Sequence, residues 1–176
     1  MKSQSVADKS ARLQSAVPRP TDGQRPITIG KILVPTDFSP ASEKALKYAL
    51  RFAEEFASEI TLLHVLETAV PLTFEGLTMP VAAAETESSD VEKKLKALMA
   101  SARERRVARL KATCRRGLPL HEIVEAAKDL DVDLIIIATH GYTGWKHFAI
   151  GSTAERVVRA APCPVLVVRE KEHDFL

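Results

Sequence analysis

Cysteines, aromatic residues and long apolar runs are all scarce in this chain of 176 residues. Its two cysteines, Cys114 and Cys163, are far apart and have no histidine or cysteine at metal-ligand spacing, which argues against a disulfide or zinc framework. No apolar stretch approaches the roughly 18 residues that cross a bilayer, and the N-terminus lacks the apolar core of a secretory signal. The sequence therefore predicts a cytoplasmic protein with reduced thiols. We do not expect it to bind a membrane.

Charge is present in both signs and nearly balanced. The formal net charge is +2, so the molecule as a whole has no strong attraction for nucleic acid. Residues 91–116 are locally rich in Lys and Arg but contain no interleaved aromatic residues, as single-strand binding would favour. We interpret this segment as a solvated helix face, and nucleic acid is not an expected partner.

An apolar fraction of 45% and a charged fraction of 27% are typical of a globular domain. Residues 1–29 hold scattered Ser, Gln, Pro and Lys with little periodicity, which predicts a disordered N-terminal tail. We expect one domain over residues 30–170 and a short C-terminal tail over 171–176.

Apolar runs alternate with helical patterns along this domain. The run Lys31–Pro35 predicts a strand, Ser39 is a good N-cap and Pro40 fits the first position of a helix, and residues 59–66 form a second apolar run. Residues 67–89 are rich in Pro, Gly, Thr and Ala, which predicts a long loop. The further predicted elements are a helix over 91–102, an edge strand over 107–114, a short helix over 123–130, strands over 134–137 and 164–168, and a last helix from Ser152. This alternation predicts an open, doubly wound parallel sheet with helices on both faces.

One motif follows the apolar run 134–137. Ala138-Thr139-His140-Gly141 comes next, nine residues follow, and Gly151-Ser152-Thr153 then opens a helical pattern. Glycines let backbone N–H groups turn toward a ligand, and a helix N-terminus adds unpaired donors and a partial positive charge. The motif therefore predicts a phosphate site. Ser152 and Glu155 also have the spacing of a capping box. Ser152 could therefore cap the helix, contact a phosphate or do both, and Glu155 at this helix end would compete with an anion.

Four blocks of this sequence resemble the universal stress protein family. They are ILVPTDFS at 32–39, LLHV at 62–65, ATHG at 138–141 with GSTAERV at 151–157, and APCPVLVV at 161–168. The resemblance covers residues 31–169 and implies a five-stranded, Rossmann-like α/β domain related to the adenine nucleotide alpha hydrolases. It also implies a homodimer, and one subset of the family binds ATP with a divalent metal. Protein partners of this family member are not evident from the sequence.

The ATP-binding subset has Gly-x-x-Gly, nine residues, then Gly-Ser or Gly-Thr. This chain matches at Gly141, Gly151 and Ser152 but has Ala138 in place of the first glycine. If position 138 requires a left-handed backbone, alanine costs about 1–2 kcal/mol there. If the position is extended, alanine costs almost nothing.

The resemblance also implies which residues bind the nucleotide. Pro35, Thr36 and Asp37 would line the adenosine pocket, and Val65 would meet the adenine through its backbone. The phosphates, carrying Mg²⁺ or Mn²⁺, would lie on the motif. The full set of implied binding residues is Pro35, Thr36, Asp37, Val65, Ala138, Thr139, His140, Gly141, Gly151, Ser152 and Thr153.

Several of these positions have a simpler interpretation as well. Asp37 is also a plausible polar loop residue before the Ser39 cap. A histidine beside an apolar strand is more often structural than chemical, which applies to His64 and His140. No nucleophile–base pair is evident, so we expect no enzyme, although weak ATP hydrolysis and adenylating chemistry stay open as minor alternatives. The other alternative is a dimeric interaction module that binds no nucleotide. Whether or not the chain binds a nucleotide, Val165–Val168 is the strand expected to pair in the dimer, because an exposed apolar edge strand needs covering.

Overall fold

The computed structural model describes residues 27–67, 82–103, 109–139 and 151–170. Within these ranges, strands and helices alternate strictly along the chain. The elements are β1 (Lys31–Pro35), α1 (Pro40–Phe56), β2 (Glu59–Glu67), α2 (Ala82–Arg103), β3 (Leu110–Gly117), α3 (Pro119–Asp129), β4 (Leu134–Ala138), α4 (Ser152–Ala160) and β5 (Val165–Val168). The strands form one parallel sheet in the order β3-β2-β1-β4-β5. The prediction of an open, doubly wound parallel sheet is confirmed.

Two apolar layers, one on each face of the sheet, hold the helices in place. The first contains β-strand side chains such as Ile32 and residues from α1 and α2, and the second contains Leu33 and residues from α3 and α4. Ile32 and Leu33 are neighbours in sequence and both fully buried, because successive strand residues point to opposite faces and both faces are covered. This explains why the interior strands read as continuous apolar runs rather than as alternating ones.

The start of α1 agrees with the sequence prediction. Ser39 is the N-cap, its hydroxyl accepts a hydrogen bond from the Ser42 N–H at 3.2 Å, and Pro40 occupies the first helical position. A proline there loses no helical hydrogen bond, because the first N–H groups of a helix have no intrahelical acceptor. The turn between β1 and α1 is thereby fixed at the carboxyl end of β1.

Several boundaries differ from the prediction, and α3 begins at Pro119 rather than at residue 123. The helix α2 begins at Ala82, so the predicted loop over 67–89 is wrong in its second part. Residues 82–87 lack an apolar stripe, but Ala and Glu dominate them and favour a helix by intrinsic propensity. The strand β3 ends three residues beyond the predicted Cys114, at Gly117, whose φ of 155° suits glycine. Its place at the sheet edge is as predicted.

The ends of the domain extend slightly beyond the strands. Ile29 packs against the first apolar layer, although the sequence placed it in the N-terminal tail. The predicted tail residues 1–26 and 171–176 lie outside the described residues. None of the described helices is both long enough and apolar enough to cross a membrane.

Candidate functional site

The carboxyl ends of β1, β2 and β4 meet at one edge of the sheet, beside the first turns of α3 and α4. Strand order runs outward from β1 in both directions, through β2 to β3 and through β4 to β5, so β1 and β4 flank the point where the winding reverses. Ligands of open α/β sheets bind at such a point. A cavity of about 340 Å³ lies here. Its lining residues are Pro35, Thr36, Asp37, Ser42, Leu63, His64, Val65, Glu67, Pro119, Ile123, Ile137, Ala138, Thr139, Gly151, Ser152, Thr153 and Ala154.

The cavity brings together every expected binding residue that the structure describes. These are Pro35, Thr36, Asp37, Val65, Ala138, Thr139, Gly151, Ser152 and Thr153. His140 and Gly141 lie outside the described residues, and so does the single tryptophan, Trp145. The contribution of each residue to ligand binding stays a prediction. The sequence reasoning did not assign Glu67 and Pro119 to the site, although their places at the end of β2 and the start of α3 would have indicated them.

The start of α4 differs from the predicted capping box. Gly151 is the N-cap, and no side chain caps this helix. The carboxylate of Glu155 accepts a hydrogen bond from Arg159 at 2.9 Å, one turn further along the helix, so it does not fold back over the N-terminus. The expected competition between Glu155 and an anion was therefore wrong.

This helix start presents backbone donors to the cavity. The first helical hydrogen bond runs from the Glu155 N–H to the Gly151 carbonyl at 3.0 Å, so the N–H groups of Ser152, Thr153 and Ala154 precede the intrahelical series. These three residues all line the cavity. Three such donors at the positive end of a helix dipole are an arrangement that favours an anion.

A backbone hydrogen bond joins the two described ends of the motif. The Gly151 N–H donates to the Thr139 carbonyl at 2.7 Å, and the Thr139 N–H donates to the Val168 carbonyl at 3.0 Å. The start of α4 is thereby tied to the sheet. This bond fixes the distance between the start of α4 and the end of β4.

Ala138 is extended, which decides between the two alternatives for this position. It is the last residue of β4, pairs with Val168 of β5, and packs against the first apolar layer. A methyl group is therefore compatible with the backbone and contributes to the core. The absence of the first motif glycine carries no conformational cost here.

The turn after β1 is held by a network of short hydrogen bonds. The Asp37 carboxylate accepts from the Ser39 N–H at 3.1 Å and from the Ser39 hydroxyl at 2.6 Å, and Asp37 also lines the cavity. Both interpretations of Asp37 are thus compatible. Phe38 follows in the left-handed region with φ of 65°, an uncommon conformation for a bulky residue.

Val65 lies in the part of β2 that extends beyond the end of its neighbour β1. The Glu59 N–H donates to the Gly30 carbonyl at 2.7 Å, and the Leu63 carbonyl accepts from the Thr36 N–H at 2.8 Å. Backbone groups alternate sides along a strand, so the N–H and C=O of Val65 face the β1 side as well. Because β1 ends at Pro35 and β2 continues to Glu67, both groups of Val65 face the cavity region instead of a strand.

His64 has the structural environment that the sequence analysis favoured. Its Nδ1 lies 2.8 Å from the Thr36 carbonyl, and its ring centroid lies 4.5 Å from that of Phe38. Since a carbonyl can only accept, Nδ1 carries the proton in this contact.

The charged side chains on the described lining are acidic. Asp37 and Glu67 are present, and no Lys or Arg lies among the described lining residues. No cluster of three or more His, Cys, Asp or Glu side chains suitable for a metal occurs in the described parts of the chain.

Comparisons with known proteins follow this geometry. The family model described as "Universal stress protein family" matches residues 28–169. The chain is 36% identical over 146 residues to universal stress protein MJ0531 of Methanocaldococcus jannaschii, covering 82% of this chain and 84% of that protein. It is 33% identical over 154 residues to universal stress protein MJ0577 of the same organism, covering 80% of this chain and 95% of that protein.

Solved structures share the fold. UspA from Lactobacillus plantarum superposes with a TM-score of 0.70 at 26% identity, covering 82% of this chain and 100% of that one. A universal stress protein in complex with cAMP superposes at 0.62 with 18% identity, covering 82% and 100%. One from Archaeoglobus fulgidus in complex with dAMP superposes at 0.57 with 21% identity, covering 81% and 99%. At those two identities, the likeness concerns the fold alone.

Proposed function

Because the chain belongs to the universal stress protein family, we propose that it binds an adenine nucleotide, ATP with Mg²⁺ or Mn²⁺, and acts as a homodimeric regulator in a cytoplasmic stress response. The observation that carries the proposal is the placement of the α4 N-terminus, the Val65 backbone edge and Asp37 around one cavity. Its volume of about 340 Å³ falls in the range of small-molecule sites. The complexes of two family members with cAMP and dAMP support the same ligand class.

The phosphates belong at the start of α4. The lining has no described Lys or Arg, so the N–H groups of Ser152, Thr153 and Ala154 are the favourable groups for negative charge there. Gly141 is expected to add a further donor.

The base belongs at Val65. The Watson–Crick edge of adenine has one donor, the N6 amino group, beside one acceptor, N1. A carbonyl and an N–H of one strand residue complement that edge. Guanine presents O6 and N1–H in the opposite sense, so the same backbone groups would discriminate against it. Asp37, at the end of β1, then lies near the ribose.

The donor set fits a metal that arrives with the nucleotide. Mg²⁺ keeps several water ligands and commonly uses one or two carboxylates together with phosphate oxygens. Asp37 and Glu67 are the carboxylates on the described lining. The cation would offset the negative charge that a triphosphate adds to a cavity whose lining already carries these two acids.

The direct test is a calorimetric titration of nucleotide-free protein with ATP and magnesium, followed in parallel by Trp145 fluorescence. We expect saturable binding at micromolar ATP that Gly151→Val weakens, because a side chain is added at the cavity wall. The backbone of Gly151, at φ −53° and ψ 144°, accommodates valine, so the variant should fold. Val158→Ala, on the exposed side of the same helix, should bind like the wild type.

The absence of binding at millimolar ATP by both methods would contradict the proposal and favour the nucleotide-independent interaction module. We do not propose an enzyme. Desolvation raises the pKa of both the Cys114 and the Cys163 thiol, which opposes a reactive thiolate at either position.

Dimerisation through β5 predicts a specific effect of proline. The carbonyls of Pro164 and Val168 accept hydrogen bonds from β4, so the alternate residues Val165 and Val167 turn their N–H groups to the free edge. Val167→Pro removes an outward donor and leaves the bonds to β4 intact. We expect sedimentation to give a dimer for the wild type and for Val167→Ala, and a monomer for Val167→Pro. A dimeric Val167→Pro protein, or a wild-type monomer at micromolar concentration, would contradict this interface.

A further inference from the structure

The ladder between β1 and β2 stops in an unusual way. In a continued parallel ladder, Leu63 would be followed by Val65, with its N–H donating to the Thr36 carbonyl and its carbonyl accepting from the Phe38 N–H. Among the described residues, the last bond of the series is the one from the Thr36 N–H to the Leu63 carbonyl. Both expected partners of Val65 are engaged elsewhere.

The first of these partners is held by His64. The Thr36 carbonyl lies 2.8 Å from His64 Nδ1, which takes the place of the Val65 N–H as its donor. The second partner is held within the turn, because the Phe38 N–H donates to the Thr36 hydroxyl at 3.1 Å. Phe38, three residues after the end of β1, has a left-handed backbone, and its ring packs on His64 with 4.5 Å between centroids.

We propose that His64 is a positioning residue for adenine recognition, which keeps the Val65 N–H available for N1 of the base by occupying the Thr36 carbonyl. This inference rests on the proposed function. His64 contacts the turn through both its Nδ1 and its ring, so its removal lets the Thr36 carbonyl move toward the nearest donor. In a continued ladder that donor is the Val65 N–H, on the adjacent strand. An unpaired backbone carbonyl is costly when buried, and Thr36 is only 7% exposed.

The test pairs a change in the protein with a change at one atom of the ligand. The ligands are ATP and 1-deaza-ATP, in which a C–H group replaces N1 and removes the acceptor. The variants are His64→Phe, which keeps an aromatic ring without the Nδ1 donor, and His64→Asn, whose Nδ2 amide stands at the position of Nδ1. Inorganic tripolyphosphate serves as a third ligand that makes no base contact.

We expect wild-type protein to bind ATP roughly tenfold more tightly than 1-deaza-ATP, because one hydrogen bond is worth a difference of about that size. His64→Phe should lose roughly that factor for ATP and bind the two nucleotides equally, and its affinity for tripolyphosphate should not change. His64→Asn should restore the preference for ATP. This restoration separates the role of the δ nitrogen from a general effect on stability, which a thermal melt of each variant measures.

The possible failures are distinct. If wild-type protein binds no ATP, both the proposed function and this inference are wrong. If it binds ATP and 1-deaza-ATP equally, the Val65 N–H does not read N1, and the inference is wrong while nucleotide binding stands. If His64→Phe keeps the tenfold preference, or fails to fold while His64→Asn folds without any preference, His64 has only a structural role.

Discussion

Replacing Ser152 with proline should lower the affinity for ATP by roughly ten- to a hundredfold, the range for one hydrogen bond to a charged group. Ser152 is the first residue of α4, and its N–H precedes the first intrahelical bond. Proline at this position removes that backbone donor, together with the serine hydroxyl, and leaves the helix intact because its ring angle suits a helix start. The preceding Gly151 has ψ of 144°, which is the extended conformation that a following proline requires. Calorimetric titration of the variant with Mg·ATP measures the loss.

The matched control is Ser152→Ala. It removes the same hydroxyl and keeps the backbone donor, so any effect shared by both variants belongs to the side chain. We expect Ser152→Ala to retain affinity within about threefold of the wild type, because no side chain caps α4. Equal affinities for the proline and alanine variants would show that this backbone donor does not bind phosphate.

Ile135→Ala should destabilise the fold by about 3 kcal/mol, within the range of roughly 2–5 kcal/mol for deleting a buried isoleucine side chain. Ile135 is fully buried, lies in the second apolar layer, and belongs to β4, which pairs with both β1 and β5. Its removal leaves a cavity between the sheet and the two helices whose N-termini face the candidate site. Equilibrium unfolding in urea, monitored by circular dichroism, gives the change in unfolding free energy.

Val158→Ala is the control for an aliphatic residue outside the core. Val158 is 47% exposed on α4, and its substitution should change stability by no more than about 0.5 kcal/mol. A loss at Ile135 of less than about 1 kcal/mol would mean that this face of β4 is not packed against α3 and α4.

The sheet was predictable because its physics is local and repetitive. The runs 32–35 and 134–137 are apolar at every position, which indicates burial on both faces, and a helical pattern follows each of them along the chain. The placement of the site at the carboxyl edge then follows from the general rule for open α/β sheets, whereas the strand order comes from the structure. The first nine residues of α2 were missed because helix propensity without an apolar stripe is a weak signal.

The details of the site depend on tertiary contacts that spacing does not encode. Ser152 and Glu155 have the spacing of a capping box, but Arg159 engages the carboxylate and Gly151 becomes the cap. The conformation of Ala138 is set by its pairing with β5, far along the chain. The backbone groups of Val65 lack a strand partner on the β1 side because β1 is shorter than β2 and because His64 contacts the Thr36 carbonyl. Neither feature is visible in the sequence of one strand alone.

The most direct measurement for the central claim is an amide ¹H–¹⁵N spectrum of assigned protein during titration with Mg·ATP and, separately, with Mg·GTP. The account predicts that ATP changes the amide chemical shifts of Val65, Ser152 and Thr153, and that all three changes saturate at the same ATP concentration. GTP should leave the amide shift of Val65 unchanged. These residues lie at the two ends of the candidate site, so a common transition places base and phosphates in one cavity. Unchanged Val65 and Ser152 amides at saturating ATP, with shifts elsewhere in the domain, would contradict the account.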